Sequence, residues 1–390
     1  MAVLDAPPLM TGSDEVRSSD PNARAWLRLL RAGVVASALR KTTETHGSAT
    51  AALGLSQAEW RAAGANADAL AILHDPGLVP ASDHAWLDAP DHHLVGWDDP
   101  DYPALLRRIP SPPPALFIAG DPNLLWYPQV AVVGSRNATA GGVDNARDFA
   151  RALVAAGLTI TSGMAEGIDA AAHLAALDAH SPTIAVVGTG TDVVYPRRHA
   201  KLAARIRAKG AIVSEFLPGT EARQQHFPRR NRMLAGLALG TLVIEAAERS
   251  GALITARLAG EAGREVFAMP GSIHNPLARG CHRLIRQGAA LVEDAREVIE
   301  ALAPVAAELA DALRARLHDG DGADMPTNAP RQAVDVDQRR LLDALGHDPV
   351  GIDALTGRTG LTVAELSSML LVMELQGLVA AEHGRYSRKF

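Results

Sequence analysis

A chain of 390 residues, 47% of them apolar, is long enough for roughly two or three domains with sizeable cores. Its net charge of -6 excludes a polycation, so a nucleic-acid partner would have to be met by a local basic patch. The single cysteine, Cys281, excludes an internal disulfide framework and a cysteine-rich zinc site and fits a reducing cytoplasm; no apolar run reaches membrane-spanning length.

Residues 1 to 22 are rich in Pro, Ser, Asp and Gly without lasting periodicity, which predicts a disordered lead with no secretory signal. From Asn22 a helical pattern runs through Trp26, Leu27, Leu29, Leu30, Val34, Val35 and Leu39. A second helix is expected near Ser48 to Leu53, and a third from Ser56, with Glu59 at the capping-box position. These short helices predict a helical module over residues 23–80. Residues 85 to 128 are rich in proline and turns, notably Asp98-Asp99-Pro100-Asp101-Tyr102-Pro103, and Leu116-Phe117-Ile118 is a possible extra strand.

Val130 to Val133 is an uninterrupted, mostly β-branched run, as in a strand buried on both faces of a parallel sheet. Gly134 ends it, and helical spacing resumes at Ala146, Phe149, Ala150 and Leu153. Strand, tight loop and helix open a doubly wound α/β domain, whose ligands lie at the carboxyl ends of the strands. The pattern repeats at 158–161, 183–187, 211–214, 240–245, 265–268 and 290–292, and nearly every strand ends in Gly, Ser or Thr. Small-residue loops thus line one edge and suit a ligand with more than one phosphate, with the helix start after Gly134 favouring an anion.

The loop reads Gly134-Ser135-Arg136-Asn137-Ala138-Thr139. It lacks the second glycine of a dinucleotide fingerprint and the Gly-Lys-Ser/Thr of a Walker loop. Arg136 is either a solvated or ion-paired loop charge or a phosphate clamp, since a guanidinium matches phosphate geometry bidentately. A basic block follows: Arg197, Arg198, His199, Lys201, Arg205, Arg207 and Lys209, then Phe227-Pro228-Arg229-Arg230-Asn231-Arg232. Arg205 to Lys209 read as a solvated helix face. Phe227 among arginines suggests base stacking beside phosphate contacts, with a buried core residue as the alternative.

After an alanine-rich helical tail and a Gly/Asp/Pro linker, together 303–331, residues 332–390 read as three helices and a two-stranded wing. The third helix, residues 362–374, contains no Arg or Lys, the donors a duplex-reading helix uses, so a protein contact is an equal reading.

Five blocks in order, Val130 to Arg136, Ser162 to Asp169, Gly188 to Pro196, Arg230-Asn231-Arg232 and Ser250 to Ala256, resemble the DNA processing protein A (DprA/Smf) family over roughly residues 98–302. The resemblance implies an extended Rossmann-like domain at 85–302, flanked by a helical, SAM-like N-terminal module and a winged-helix C-terminal module. It also implies single-stranded DNA binding, a homodimer, and loading of RecA recombinase during natural transformation, with no catalytic residue, cofactor, metal or membrane. The strand contacts it implies fall on Gly134, Ser135, Arg136, Gly163, Arg197, Arg198, Phe227, Arg229, Arg230, Asn231 and Arg232. The rival is a nucleotide-hydrolysing enzyme of the phosphoribohydrolase-like fold. Only partial matches to its loop occur, at Met269 to Ser272 and Glu245 to Gly251, and Glu166 and Asp169 read as a helix-start cap before an acid/base pair. A scaffold that binds no strand is the third reading.

Overall fold

The computed structural model describes residues 20–319 and, in the C-terminal part, 341, 344–345, 350–359, 361, 366, 370, 379–382 and 385–388. Two compact units result, Met1–Gly320 and Asp321–Phe390. The predicted disordered lead lies, up to residue 19, outside the described residues. Its last residues belong instead to a helix: Asp20 accepts from the Asn22 N–H at 2.8 Å, capping α1 (Pro21–Arg31), and Pro21 suits the first helical position.

Five more helices follow: α2 (Ala36–His46), α3 (Ala49–Leu53), α4 (Gln57–Ala62), α5 (Ala67–His74) and α6 (Ala81–Leu87). The apolar pattern from Trp26 to Leu39 is broken at Gly33, whose φ of 72° ends α1 and leaves Val35 exposed. Ser56 and Glu59 form the reciprocal capping box expected of them. Next come β1 (His92–Gly96), α7 (Ala104–Arg107) and β2 (Ala115–Gly120). The alternating unit then runs β3 (Gln129–Gly134), α8 (Ala140–Ala155), β4 (Thr159–Ser162), α9 (Ile168–Asp178), β5 (Thr183–Val186), α10 (Ala200–Lys209) and β6 (Ala211–Ser214). It continues with α11 (His226–Leu237), β7 (Gly240–Ile244), α12 (Gly251–Glu261), β8 (Glu265–Ala268), α13 (Arg279–Arg286), β9 (Ala290–Leu291) and α14 (Ala295–Asp319).

The nine strands make one sheet in the order β1-β2-β6-β5-β4-β3-β7-β8-β9. From β6 to β9 every pairing is parallel; β2 on β6 and β1 on β2 are antiparallel. The expected parallel sheet is therefore mixed at one edge. β1, His92-His93-Leu94-Val95-Gly96, escapes sequence reading because half of it is polar. The chain winds outward from β3 to β6 and restarts at β7 on the other side of β3, so the reversal of strand order lies between β3 and β7.

Each strand of the parallel part feeds two layers. Val130 and Val132 join the core beneath α8, α9 and α14, while Val133 joins the opposite core with Met233 and Leu234 of α11. That second core runs on without a break into the helical module through Trp26, Trp60, Trp86 and Phe117. The predicted turn cluster fastens the two parts. Asp98 accepts from Trp26 Nε1 at 2.5 Å, from the Ala49 N–H at 2.8 Å and from Asn22 Nδ2 at 3.0 Å.

In the C-terminal unit β10 (Val350–Gly351), α15 (Ile352–Thr359), β11 (Val379–Glu382) and β12 (Arg385–Arg388) surround a small core containing Leu341, Leu345, Leu355, Leu366, Leu370 and Val379. β11 and β12 pair antiparallel where the wing is expected, and β10 adds a third strand. Most of the third helix without Arg or Lys, and the linker, lie outside the described residues.

Candidate nucleic-acid interface

Gly134 ends β3 because nothing larger fits: a Cβ there would overlap the Ile244 carbonyl and the Ile168 side chain. The next residue is pinned on both sides. Ser135 N–H donates to the Glu245 carbonyl at 2.7 Å, and Ile168 N–H donates to the Ser135 carbonyl at 3.2 Å. Ser135 Oγ accepts from the Asn137 N–H at 3.2 Å, so this buried serine turns the chain. Arg136 is left exposed at the loop tip, its guanidinium carbon 5.4 Å from the centre of the Phe227 ring.

The anion expected at the start of α8 is already present as a protein carboxylate. Glu245, with a φ of 53°, accepts from the Thr139 N–H at 2.8 Å, the Thr139 hydroxyl at 2.5 Å and Asn275 Nδ2 at 3.3 Å. The crevice between β3 and β7, the usual ligand position in such sheets, keeps a hollow of about 170 Å³ but presents the Glu245 carboxylate to any anion entering it. A second hollow lies over β3, β4 and β5.

There the loop after β4 is held by Asp169 in the first turn of α9, whose carboxylate accepts from the N–H groups of Gly163 at 3.0 Å and Ala165 at 3.3 Å. Asp169 is buried, and burial pushes its carboxyl up although Arg230 and the backbone donors pull it down. It ties down the preceding loop and does not form the helix-start cap that the sequence reading preferred, because α9 begins after Gly167 without a side-chain cap hydrogen bond. Gly163 makes room for α11: a Cβ would overlap the Arg230 guanidinium. Arg230 as a residue is only 5% exposed, and burial, with a smaller push from Arg136, lowers its pKa to about 10 against the opposing pull of Asp169. Arg230 Nε has no hydrogen-bond partner, and among the described residues no carboxylate lies within 4.0 Å to pair with it. A buried cation with an unused donor is expensive unless something is meant to meet it.

Arg136, Gly163, Ala165, Glu166, Tyr195, Pro196, Phe227 and Arg230 enclose a hollow of about 170 Å³. Phe227 is half-buried, between the core and stacking readings, with the exposed Tyr195 ring 5.5 Å away at 40°. Arg198 pairs with Glu166 at the rim, and exposed Arg197 lies beside it. The structure does not bring the rest of the basic run into this hollow. Arg229 and Arg232 bind the buried Glu215 at 2.8 and 2.5 Å, and buried Asn231 donates to the Gly251 carbonyl at 3.4 Å. On a helix, neighbours in sequence face different directions, so one basic run serves two jobs. Tyr195 was legible in the Tyr-Pro block, without a signal for its role. Glu215 carried none. A groove of about 750 Å³ along α12 and α13 gathers none of the predicted site residues.

The chain is similar to several known proteins. A family model described as DNA recombination-mediator protein A matches residues 93–303, and one described as the DprA winged helix domain matches residues 325–385. Protein Smf of Escherichia coli (strain K12) is 43% identical over 304 residues, 78% of this chain and 79% of that protein. DNA processing protein DprA of Streptococcus pneumoniae (strain ATCC BAA-255 / R6) is 46% identical over 201 residues, 52% of this chain and 71% of that protein. The X-ray structure of DNA processing protein A from Streptococcus pneumoniae superposes with a TM-score of 0.64 at 35% identity, covering 71% of this chain and 97% of that one.

Proposed function

This chain belongs to the DNA recombination-mediator protein A (DprA/Smf) family, and on that premise we propose that it binds single-stranded DNA through the hollow over β3, β4 and β5. The supporting observation is Arg230: a buried guanidinium with an unpartnered donor, facing a hollow whose mouth carries Arg136 and the Phe227 ring. A phosphate entering there meets two cations, and the attached base has an aromatic face to stack on. Gly134, Ser135 and Gly163 shape the hollow; Arg197 and Arg198 extend it along the rim. Arg229, Asn231 and Arg232 support α11 in this reading and touch the strand only if their present partners let go.

The nucleotide-hydrolase reading needs a free carboxylate at the ligand edge. Asp169 and Glu245 are committed to backbone donors, and Glu166, the one acid lining the hollow, is paired with Arg198, which favours the non-enzymatic reading. Loading of RecA recombinase onto the bound strand, a homodimer and a cytoplasmic setting belong to the same proposal and rest on family membership. Among the described residues no helix is long and apolar enough to cross a membrane.

The test is fluorescence anisotropy with single- and double-stranded oligonucleotides across salt, on wild type, Arg136→Lys and Arg136→Ala. Single-strand affinity should fall steeply with salt and show little sequence preference. Lysine should weaken binding in part; alanine should weaken it further and flatten the salt slope by about one unit, one contact's share. Alanine binding like wild type would leave Arg136 a mere loop charge.

A further inference from the structure

The hollow contains one acid. Glu166 shares its lining with Arg136 and Arg230, and its carboxylate is ion-paired to Arg198 across the rim. Its backbone cannot retreat, because the loop that carries it is anchored on both sides: Gly163 and Ala165 before it bond to Asp169, and Ile168 after it bonds to Ser135. The Arg198 side chain is 66% exposed and that of Glu166 30% exposed, so their pair lies at the solvent boundary, where such pairs are weak and cheap to break.

We propose that Glu166 is a specificity filter that turns away lone phosphates and mononucleotides while admitting a strand, an inference that rests on the DNA reading above. A single phosphate entering the hollow meets Arg136 and Arg230 but also the Glu166 carboxylate, and it gives the displaced Arg198 nothing in return. A strand meets the same repulsion once, and its neighbouring phosphate supplies Arg198 with a new anion that it can grip bidentately. The acid therefore weakens every ligand a little and weakens one-phosphate ligands most. In a cell, where free nucleotides are abundant, this difference keeps the hollow open for polymer.

The experiment uses the full chain, a fluorescent oligo-dT and unlabelled dTMP as competitor, with wild type, E166Q and R198A. Glu166→Gln should tighten oligo-dT binding by about fivefold, the equilibrium factor of one exposed charge interaction. It should also lower the dTMP inhibition constant, corrected for the tighter probe, by a larger factor, about tenfold, because dTMP has no second phosphate with which to recover Arg198. Arg198→Ala should weaken oligo-dT while leaving the dTMP inhibition constant nearly unchanged. E166A, which removes the carboxylate without adding an amide, should move both readings in the same direction as E166Q, and thermal melts confirm that each variant is folded. Unchanged or weaker oligo-dT binding by E166Q overturns the inference, as does tightening with no gain in dTMP competition. If oligo-dT binding depends on Arg136 but ignores Glu166, only this inference falls. A wild-type chain that binds no strand sinks the DNA reading together with it.

Discussion

A methyl group at position 163 would overlap the Arg230 guanidinium. Gly163→Ala is therefore a probe of the hollow that changes no charge: the backbone there is tied to Asp169, so the guanidinium has to move. Single-strand affinity should drop by about tenfold, the size of one lost hydrogen bond to a charged group, with the salt slope hardly altered. Wild-type affinity in that variant would mean that Arg230 takes no part. Beneath the hollow, His173 is wholly buried on α9; its Nδ1 lies 2.7 Å from Thr183 Oγ1 and its Nε2 has no partner. Burial, helped by the Arg230 charge, pushes its pKa down from 6.5 to about 3. Between those two values the unfolded chain binds the proton and the folded chain does not. The stability from a neutral His173 is therefore complete above pH 6.5 and is lost as pH falls toward 3, by at most about 1.4 kcal/mol per pH unit. Asp169, whose carboxyl burial pushes up, titrates in the opposite sense and offsets part of this slope. Urea melts from pH 7 to 4 should show a shallower loss for His173→Gln than for wild type; parallel curves would show that His173 already titrates normally.

Among the elements, the segment linking β1 to α7 adds a polar joint between the helices and the sheet to the apolar core they share. Asp98 satisfies the indole N–H of Trp26, a residue with no exposed surface, together with Asn22 and the start of α3. Asp98→Ala should cost about 3 kcal/mol, since it strands a buried donor as well as deleting hydrogen bonds to a charged acceptor. The check is a denaturant midpoint, with Asp99→Ala as the neighbouring comparison; equal midpoints for wild type and Asp98→Ala would show that the joint is held by apolar packing alone. α11 shows the limit of reading elements by composition. Its Phe-Pro-Arg-Arg-Asn-Arg run is conspicuous, yet helical geometry sends Arg230 into the hollow and Arg229 and Arg232 to Glu215, a residue of the strand-end loop that no local pattern singles out.

At the scale of the molecule, the main unit holds the whole hollow, and the C-terminal unit matches a winged-helix family model. Truncation after Gly320 should leave most of the single-strand affinity, because the helix expected to read a groove contains no Arg or Lys. Anisotropy on the truncated and full chains tests this, and tight binding by the isolated C-terminal unit would place the site elsewhere. Much of the architecture was legible beforehand, for reasons that are local. Buried parallel strands have to be runs like Val130 to Val133, tight strand ends have to be glycine, and a capping box is written in the spacing of Ser56 and Glu59. Arg136 at a strand-to-helix loop is legible for the same reason. Contacts between distant residues were not legible, because chain spacing does not reveal which of them meet. That β1 and β2 add antiparallel to β6, that Glu245 fills the start of α8, that Asp169 holds the loop carrying Glu166, and that Gly163 leaves space for Arg230 all depend on residues brought together from separate strands and helices. The order of strands and small-residue loops along the chain set the expectation of an anion site at the strand ends; only the packing of α11 against the β4 loop decided which of its cations was left without a partner.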